Sequence, residues 1–302
     1  MQQPVVAGVD GSPESLAAAE WAAREAVRRG LPLCLVHATN WNPTPEPSAP
    51  AASTVRRLPE GRDILRQAED RIARTCPGAR LVDEQLEGPA TAALVRAAEE
   101  SALMVLGSRG LSGFTGFLVG SVAQGVVARA ARPVVLVRAG EEAADEHVPD
   151  VDGQASADTP YRDVVLGIDL SDAGDEVIEF AFDAARVRKA GLHVVHAWSA
   201  PSPLTLGPGE IGLVEGPARG EEWRGFLSAV LETWREKFPD VEVTETLVEG
   251  RAGTHLVHAS TGAGLLVLGR RAHEGPLGPR TGPVAHTVIR HASCPVAIVP
   301  HD

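Results

Sequence analysis

The sequence predicts an α/β protein built from two repeated, doubly wound units, each a five-stranded parallel sheet flanked by helices. Three observations predict it. Short Val/Leu-rich runs alternate with helix-length stretches, the pattern of a parallel sheet covered on both faces. Landmarks of the first half return in the second: "VVAGVDGS" (5–12) as "VVLGIDLS" (164–171), and "LVHAT" (35–39) as "VVHAW" (194–198). The spacing repeats too. Asp169 follows Asp10, and His196 follows His37, by 159 residues; Gly269 follows Gly107, and Pro295 follows Pro133, by 162. The difference falls where each half carries a Pro-rich loop, "NPTPEPSAPAAS" in one and "APSPLTLGPGEIGLVEGPARG" in the other. A chain of 302 residues suits two domains of about 150 residues. We expect units at 1–139 and 161–302, joined by an acidic linker, 140–160, that has few large apolar residues.

Each element has its own signal. The run 4–9 reads as a buried strand. "SPESLAAAEWAAREAVRR" (12–29) reads as a helix with Ala18, Trp21, Ala22 and Ala26 on one face, matched in the second copy by Val177, Phe180, Ala181 and Ala185. Ser12 supplies a capping oxygen, and Pro13 is pre-set at the helical φ. Strand 32–38, helix 60–75, strand 79–86, helix 90–101, strand 103–106, helix 121–131 and strand 133–138 complete the first unit. Right-handed crossovers then wind helices onto both faces.

Composition excludes several classes. The net charge is −12, and Lys189 and Lys237 are the only lysines. Nucleic-acid binding rests on basic faces, so no nucleic-acid partner is expected. The three cysteines, Cys34, Cys76 and Cys294, are odd in number and scattered, which suits core thiols rather than a disulfide framework. No apolar run approaches the ~18 residues of a membrane span. "MQQPVVAGVD" lacks a basic leader, so a cytoplasmic location is expected and a membrane partner is not. His255 and His258 share a helix face, but no further ligands accompany them, so no metal site is predicted. No nucleophile elbow or catalytic triad order stands out either, and no catalytic residue is assigned.

The segment "GSRGLSGFTGFLVGS" (107–121) carries the functional signal, with five glycines and four hydroxyl residues following the apolar run "LMVL". In a doubly wound sheet, ligands sit beyond the carboxyl ends of the strands where the strand order reverses. Gly107, Gly110 and Gly120 are expected to allow positive φ and close approach to an anion. The first-turn N–H groups of the following helix point at that anion, aided by the helix dipole. Ser121 adds a hydroxyl and Arg109 a charge. Phosphate is the natural occupant, although a merely tight connection has the same glycines. There is no Walker lysine. Asp10 admits two roles, a ligand contact or the turn into the first helix.

These residues resemble a tandem universal stress protein, with similarity across both units. The most specific motif is G-x2-G-x9-G-[S/T], here Gly107-x2-Gly110-x9-Gly120-Ser121. The resemblance implies strand order 3-2-1-4-5 and a bound ATP or related adenine nucleotide. It implies contacts from Gly8, Val9 and Asp10 at the end of the first strand and from Ala38 at the end of the second. Gly107, Ser108, Arg109, Gly110, Gly113, Gly120 and Ser121 would complete the site. His37 reads as a structural strand-end residue. Mg²⁺ is allowed to accompany the triphosphate without protein ligands of its own. In the second copy Asp169, Gly269 and Gly282 survive, but Ala272 replaces the middle glycine and Pro283 the hydroxyl residue. Weak binding is expected there, with Arg270 and Arg271 in partial compensation. The family's pairing of last strands implies an internal pseudo-dimer of the two units, and a homodimer of chains is compatible with it. A regulatory, stress-response role with an unidentified protein partner follows. A nucleotide-independent scaffold and a slow ATPase are the alternatives.

Overall fold

The computed structural model describes residues 2–39, 54–108, 120–198, 216–272 and 281–302. The first unit runs β1 (Val5–Gly8), α1 (Pro13–Arg29), β2 (Leu33–Thr39), α2 (Thr54–Thr75), β3 (Leu81–Glu87), α3 (Ala90–Glu99), β4 (Leu103–Ser108), α4 (Ser121–Arg129) and β5 (Val134–Arg138). The second repeats it as β6 (Val164–Gly167), α5 (Asp175–Arg188), β7 (Leu192–Trp198), α6 (Gly216–Lys237), β8 (Val243–Glu249), α7 (Ala252–Ala259), β9 (Leu265–Arg271), α8 (Pro283–His291) and β10 (Val296–His301). The strand order is β3-β2-β1-β4-β5-β10-β9-β6-β7-β8. Read inward from either edge, both units have the expected order 3-2-1-4-5.

The strands within each unit pair in parallel, while β5 and β10 pair antiparallel, with Val135 opposite Ala297. Each unit alone would leave that edge of backbone N–H and C=O groups unpaired, and joining the edges removes the liability. Alternation along the strands feeds two cores. Val5, Ala7, Val105, Val135, Leu166 and Ala297 face α1, α2, α5 and α6, whereas Val6, Met104, Leu136, Val165 and Ile298 face α3, α4, α7 and α8.

Helix α1 packs its predicted face fully: Ala18, Trp21, Ala22 and Ala26 are all 0% exposed. Ser12 caps it, accepting from Ser15 N–H at 3.2 Å, and Gly30 ends it in the left-handed conformation. The opposite side of α1 meets α5 through buried charges. Glu25 pairs with Arg188 across the units at 2.7 Å and with Arg29 of its own helix at 2.6 Å, and Arg29 also pairs with Asp183. Burial alone would raise the Glu25 carboxyl, but Arg188, Arg29 and Arg28 together hold it well below the usual carboxylate range. The segment between the units joins this network, for Glu146 is 1% exposed and pairs with Arg24 at 2.6 Å and Arg28 at 2.8 Å. His147 bridges to Tyr161, which returns the chain to β6.

Candidate functional site

Strand β1 lies between β2 and β4, with Gly8 opposite Val36 on one side and Leu106 on the other. The chain order reverses between β1 and β4. Val9 is held in place by its N–H bond to the Val36 carbonyl. Asp10 follows at the carboxyl edge of β1, where its Oδ1 accepts from the Ser12 N–H at 3.0 Å and the Ser12 hydroxyl at 2.5 Å. The Asp10 N–H in turn donates to Ser15 Oγ at 3.2 Å. Asp10 therefore does organise the turn into α1, and it is exposed just beyond the carboxyl end of β1. Asp169 repeats the arrangement with Ser171, at 3.0 and 2.7 Å. His37 is a strand-end residue whose Nδ1 meets the Val9 carbonyl at 2.8 Å, as His196 meets that of Ile168 at 3.0 Å. Ala38, the next residue of β2, pairs with Leu86.

The motif's outer glycines work differently from expectation. Neither adopts positive φ: Gly107 lies in β4 opposite Val137, and Gly120 has φ −56°. Gly107 is small for another reason. A Cβ there would come within 2.6 Å of the Glu14 carbonyl carbon and 2.7 Å of the Ser15 nitrogen, so its hydrogen lets the α1 backbone pack onto β4. Ser108 is 3% exposed and donates its hydroxyl to the Val137 carbonyl at 3.1 Å. Its side chain serves the sheet, leaving the backbone as what it can offer a ligand. Gly120 precedes the first turn of α4, and Ser121 opens that helix at the surface. A helix start leaves its first N–H groups without intrahelical partners, which suits an anion. Arg109, Gly110 and Gly113 lie outside the described residues.

In the second unit the corresponding crevice is a cavity of about 640 Å³. It brings together Asp169, Gly269 and Gly282, the three residues the sequence assigned there, with Pro283 at the first turn of α8. Both arginines that the sequence offered in compensation have protein partners. Arg270 Nη2 donates to the Ala130 carbonyl of the first unit at 2.5 Å, and Arg271 pairs with Asp172. Two further lining residues, Asp172 and His301, escaped the sequence reading. The repeat offsets held the signal, since Asp172 aligns with Pro13 and His301 with Ala139. Among the described residues, no three His, Cys, Asp or Glu side chains gather as a metal site, and no helix is long and apolar enough to cross a membrane.

Comparisons with known proteins agree with this architecture. The sequence model of the Universal stress protein family matches residues 1–138 and again 160–300. A universal stress protein of Mycobacterium tuberculosis is 33% identical over 98% of this chain and 97% of its own length. The crystal structure of a universal stress protein from Archaeoglobus fulgidus superposes with TM-score 0.68 at 15% identity, covering 99% of this chain and 98% of that one. A universal stress protein crystallised in complex with cAMP is 32% identical, covering 46% of this chain and 98% of its own, with TM-score 0.37. With two matches of the family model that together span most of its length, this chain belongs to the universal stress protein family as a tandem of two family units.

Proposed function

We propose that the first unit binds ATP reversibly and that nucleotide occupancy alters the protein's conformation or partners in a regulatory, stress-response role. One observation carries the reading. Asp10 and Gly107 stand at the carboxyl ends of the adjacent strands β1 and β4, where the strand order reverses, and α4 is the helix that follows β4 in the chain. Asp10 would accept from ribose hydroxyls, and the first-turn N–H groups of α4 with Ser121 would donate to phosphate oxygens. Three or four charge-assisted bonds at about 1.5–3 kcal/mol each suffice for micromolar binding after association costs. Mg²⁺ would arrive on the phosphate oxygens and neutralise part of their charge. No described residue stands out as a base to activate water, so hydrolysis is expected to be slow.

The test is to purify the protein without added nucleotide, denature it and quantify released adenine nucleotides by chromatography. We expect about one ATP per chain, lost in Gly120→Val, which puts a branched side chain at the entrance to the α4 N-terminus. No released nucleotide, followed by no binding on ATP titration, would replace this reading with a nucleotide-independent scaffold.

A further inference from the structure

Where the two units meet the segment that joins them there is another cavity, of about 310 Å³. Three parts of the chain line it. Arg138 ends β5 of the first unit, Glu141 and Asp145 belong to the joining segment, and Arg162, Thr261 and Ser293 come from the second unit. None of these residues lines the crevice of the second unit, and none belongs to the glycine motif of the first.

Several of its polar groups are not spent on the protein. Arg162 fixes its Nε on the His147 carbonyl at 2.7 Å, which holds the guanidinium in place, and its Nη groups have no acceptor among the described residues. Ser293 spends its N–H on Ser260 Oγ at 2.8 Å, while its hydroxyl and that of Thr261 have no partner among the described residues. Glu141 is half-buried and forms no ion pair among the described residues, whereas its neighbour Glu146 is held by Arg24 and Arg28. Burial, Asp145 and Glu146 push Glu141 up to about 8 against the pull of Arg24 and Arg138, so at neutral pH its carboxyl is protonated and donates. The Cys294 thiol beside it, pushed up to about 12, is neutral as well. Burial lowers Arg138 from its ordinary value, and an anion beside its guanidinium would offset that cost. The cavity thus presents two guanidiniums, two hydroxyls and a carboxyl O–H. Asp145 is the ionised carboxylate of its lining, exposed at the rim and already accepting the Glu142 N–H at 2.8 Å.

We infer that this cavity binds a small oxyanion, a phosphate or a short carboxylate, between Arg138 and Arg162, with the Thr261 and Ser293 hydroxyls and the Glu141 carboxyl as further donors. Guanidinium forks match the paired oxygens of either group. Because the donors come from both units and from the segment between them, the occupant would tie the three together. This is an effector site separate from the nucleotide crevice, and it stands whether or not the first unit binds ATP.

The experiment is calorimetric titration of sulfate, standing for phosphate, and separately of succinate, into the full chain. Both probes stay doubly charged between pH 7 and pH 9, so a pH dependence belongs to the protein. One site per chain is expected at pH 7, and the tighter probe tells phosphate from carboxylate. Arg162→Gln should weaken binding about tenfold or more, the worth of one charge-assisted bond. Thr261→Val, at an exposed position that leaves the fold intact, should weaken it about threefold or more. Glu141 is about nine-tenths protonated at pH 7 and about one-tenth at pH 9, so affinity should fall about tenfold over that range. Glu141→Gln, whose amide still donates, should bind alike at both pH values, and Gly120→Val should bind as the unaltered chain does. Failure of both probes at tens of millimolar, a site that survives both Arg162→Gln and Thr261→Val, or a pH dependence that is absent or unchanged in Glu141→Gln would each overturn the inference. Binding lost in Gly120→Val and kept in Arg162→Gln would place the oxyanion in the nucleotide crevice, overturning this inference and leaving the ATP proposal standing. An Arg162-dependent site in a chain that binds no ATP removes the ATP proposal alone.

Discussion

Replacing Gly107 by alanine tests the claim that this glycine is there for helix packing. The new Cβ would meet the Glu14 carbonyl carbon at 2.6 Å, the Ser15 nitrogen at 2.7 Å and the Glu14 oxygen at 2.8 Å. All three are backbone atoms, so no side chain can swing away. Relief to ordinary contact requires the start of α1 to retreat by about 0.8 Å, and a gap of that size forfeits a quarter to a half of each dispersion contact behind it. Close behind it are Leu16, Ala18 and Ala19, all buried. The expected loss is about 2–4 kcal/mol, at the upper end of overpacking costs. Gly269 is the internal control. Its Cβ would meet the His301 Nε2 at 2.8 Å and Val177 Cγ2 at 3.2 Å, which are side-chain atoms, so relief calls for two side chains and not the helix backbone to shift. Gly269→Ala should therefore cost less than Gly107→Ala, about 1–2 kcal/mol. Urea denaturation of both variants, followed by circular dichroism, reads the difference. Equal losses, or a neutral Gly107→Ala, would refute the packing argument. Because α1 carries the Asp10–Ser12 turn, Gly107→Ala should also weaken ATP binding in the first unit.

Three other outcomes follow from the buried charges and thiols. Arg188→Ala removes the cross-unit partner of Glu25, which keeps Arg28 and Arg29, and should destabilise the chain by about 1.5–3 kcal/mol, the worth of a charge-assisted hydrogen bond, in the same denaturation assay; a loss under about 0.5 kcal/mol would show the pair to be incidental. Burial, Asp145 and Glu146 push Glu141 up to about 8, above its unfolded value, so its favourable contribution is present below about pH 4 and is lost as pH rises through 8. Glu141→Gln should raise the melting temperature above pH 8 and leave it little changed near pH 4, and a shift of the reverse sign would contradict the assignment. Burial raises Cys294 to about 12, and burial with Glu84 and Asp83 raises Cys34 to about 11. Both should resist a thiol reagent at pH 8 until the protein is unfolded; rapid labelling of Cys294, the buried thiol, in the native chain would show its core to be open.

Much of this molecule was legible in one dimension because its informative features are local or periodic. The alternation of apolar strands and helical faces placed α1 on Ala18, Trp21, Ala22 and Ala26, and the Ser12–Pro13 start needed only neighbouring residues. The repeat offsets carried the two-unit organisation, and the sequence placed Gly107 and Asp10 at strand ends, where the structure has them. The features that tertiary structure decided depend on groups far apart in the chain. Glu25 and Arg188 look like solvated helix charges until α1 and α5 are laid together, when water is excluded and each becomes the other's partner. Glu146 sits in a stretch whose acidity suggested solvent, yet Arg24 and Arg28 draw it inside. Gly107 proved to be a matter of clearance against α1 rather than of φ, because a steric contact depends on what packs opposite and not on the residue's neighbours in sequence. The same holds for Arg270, which lines the second crevice yet donates to a carbonyl of the first unit once the two sheets join at β5 and β10.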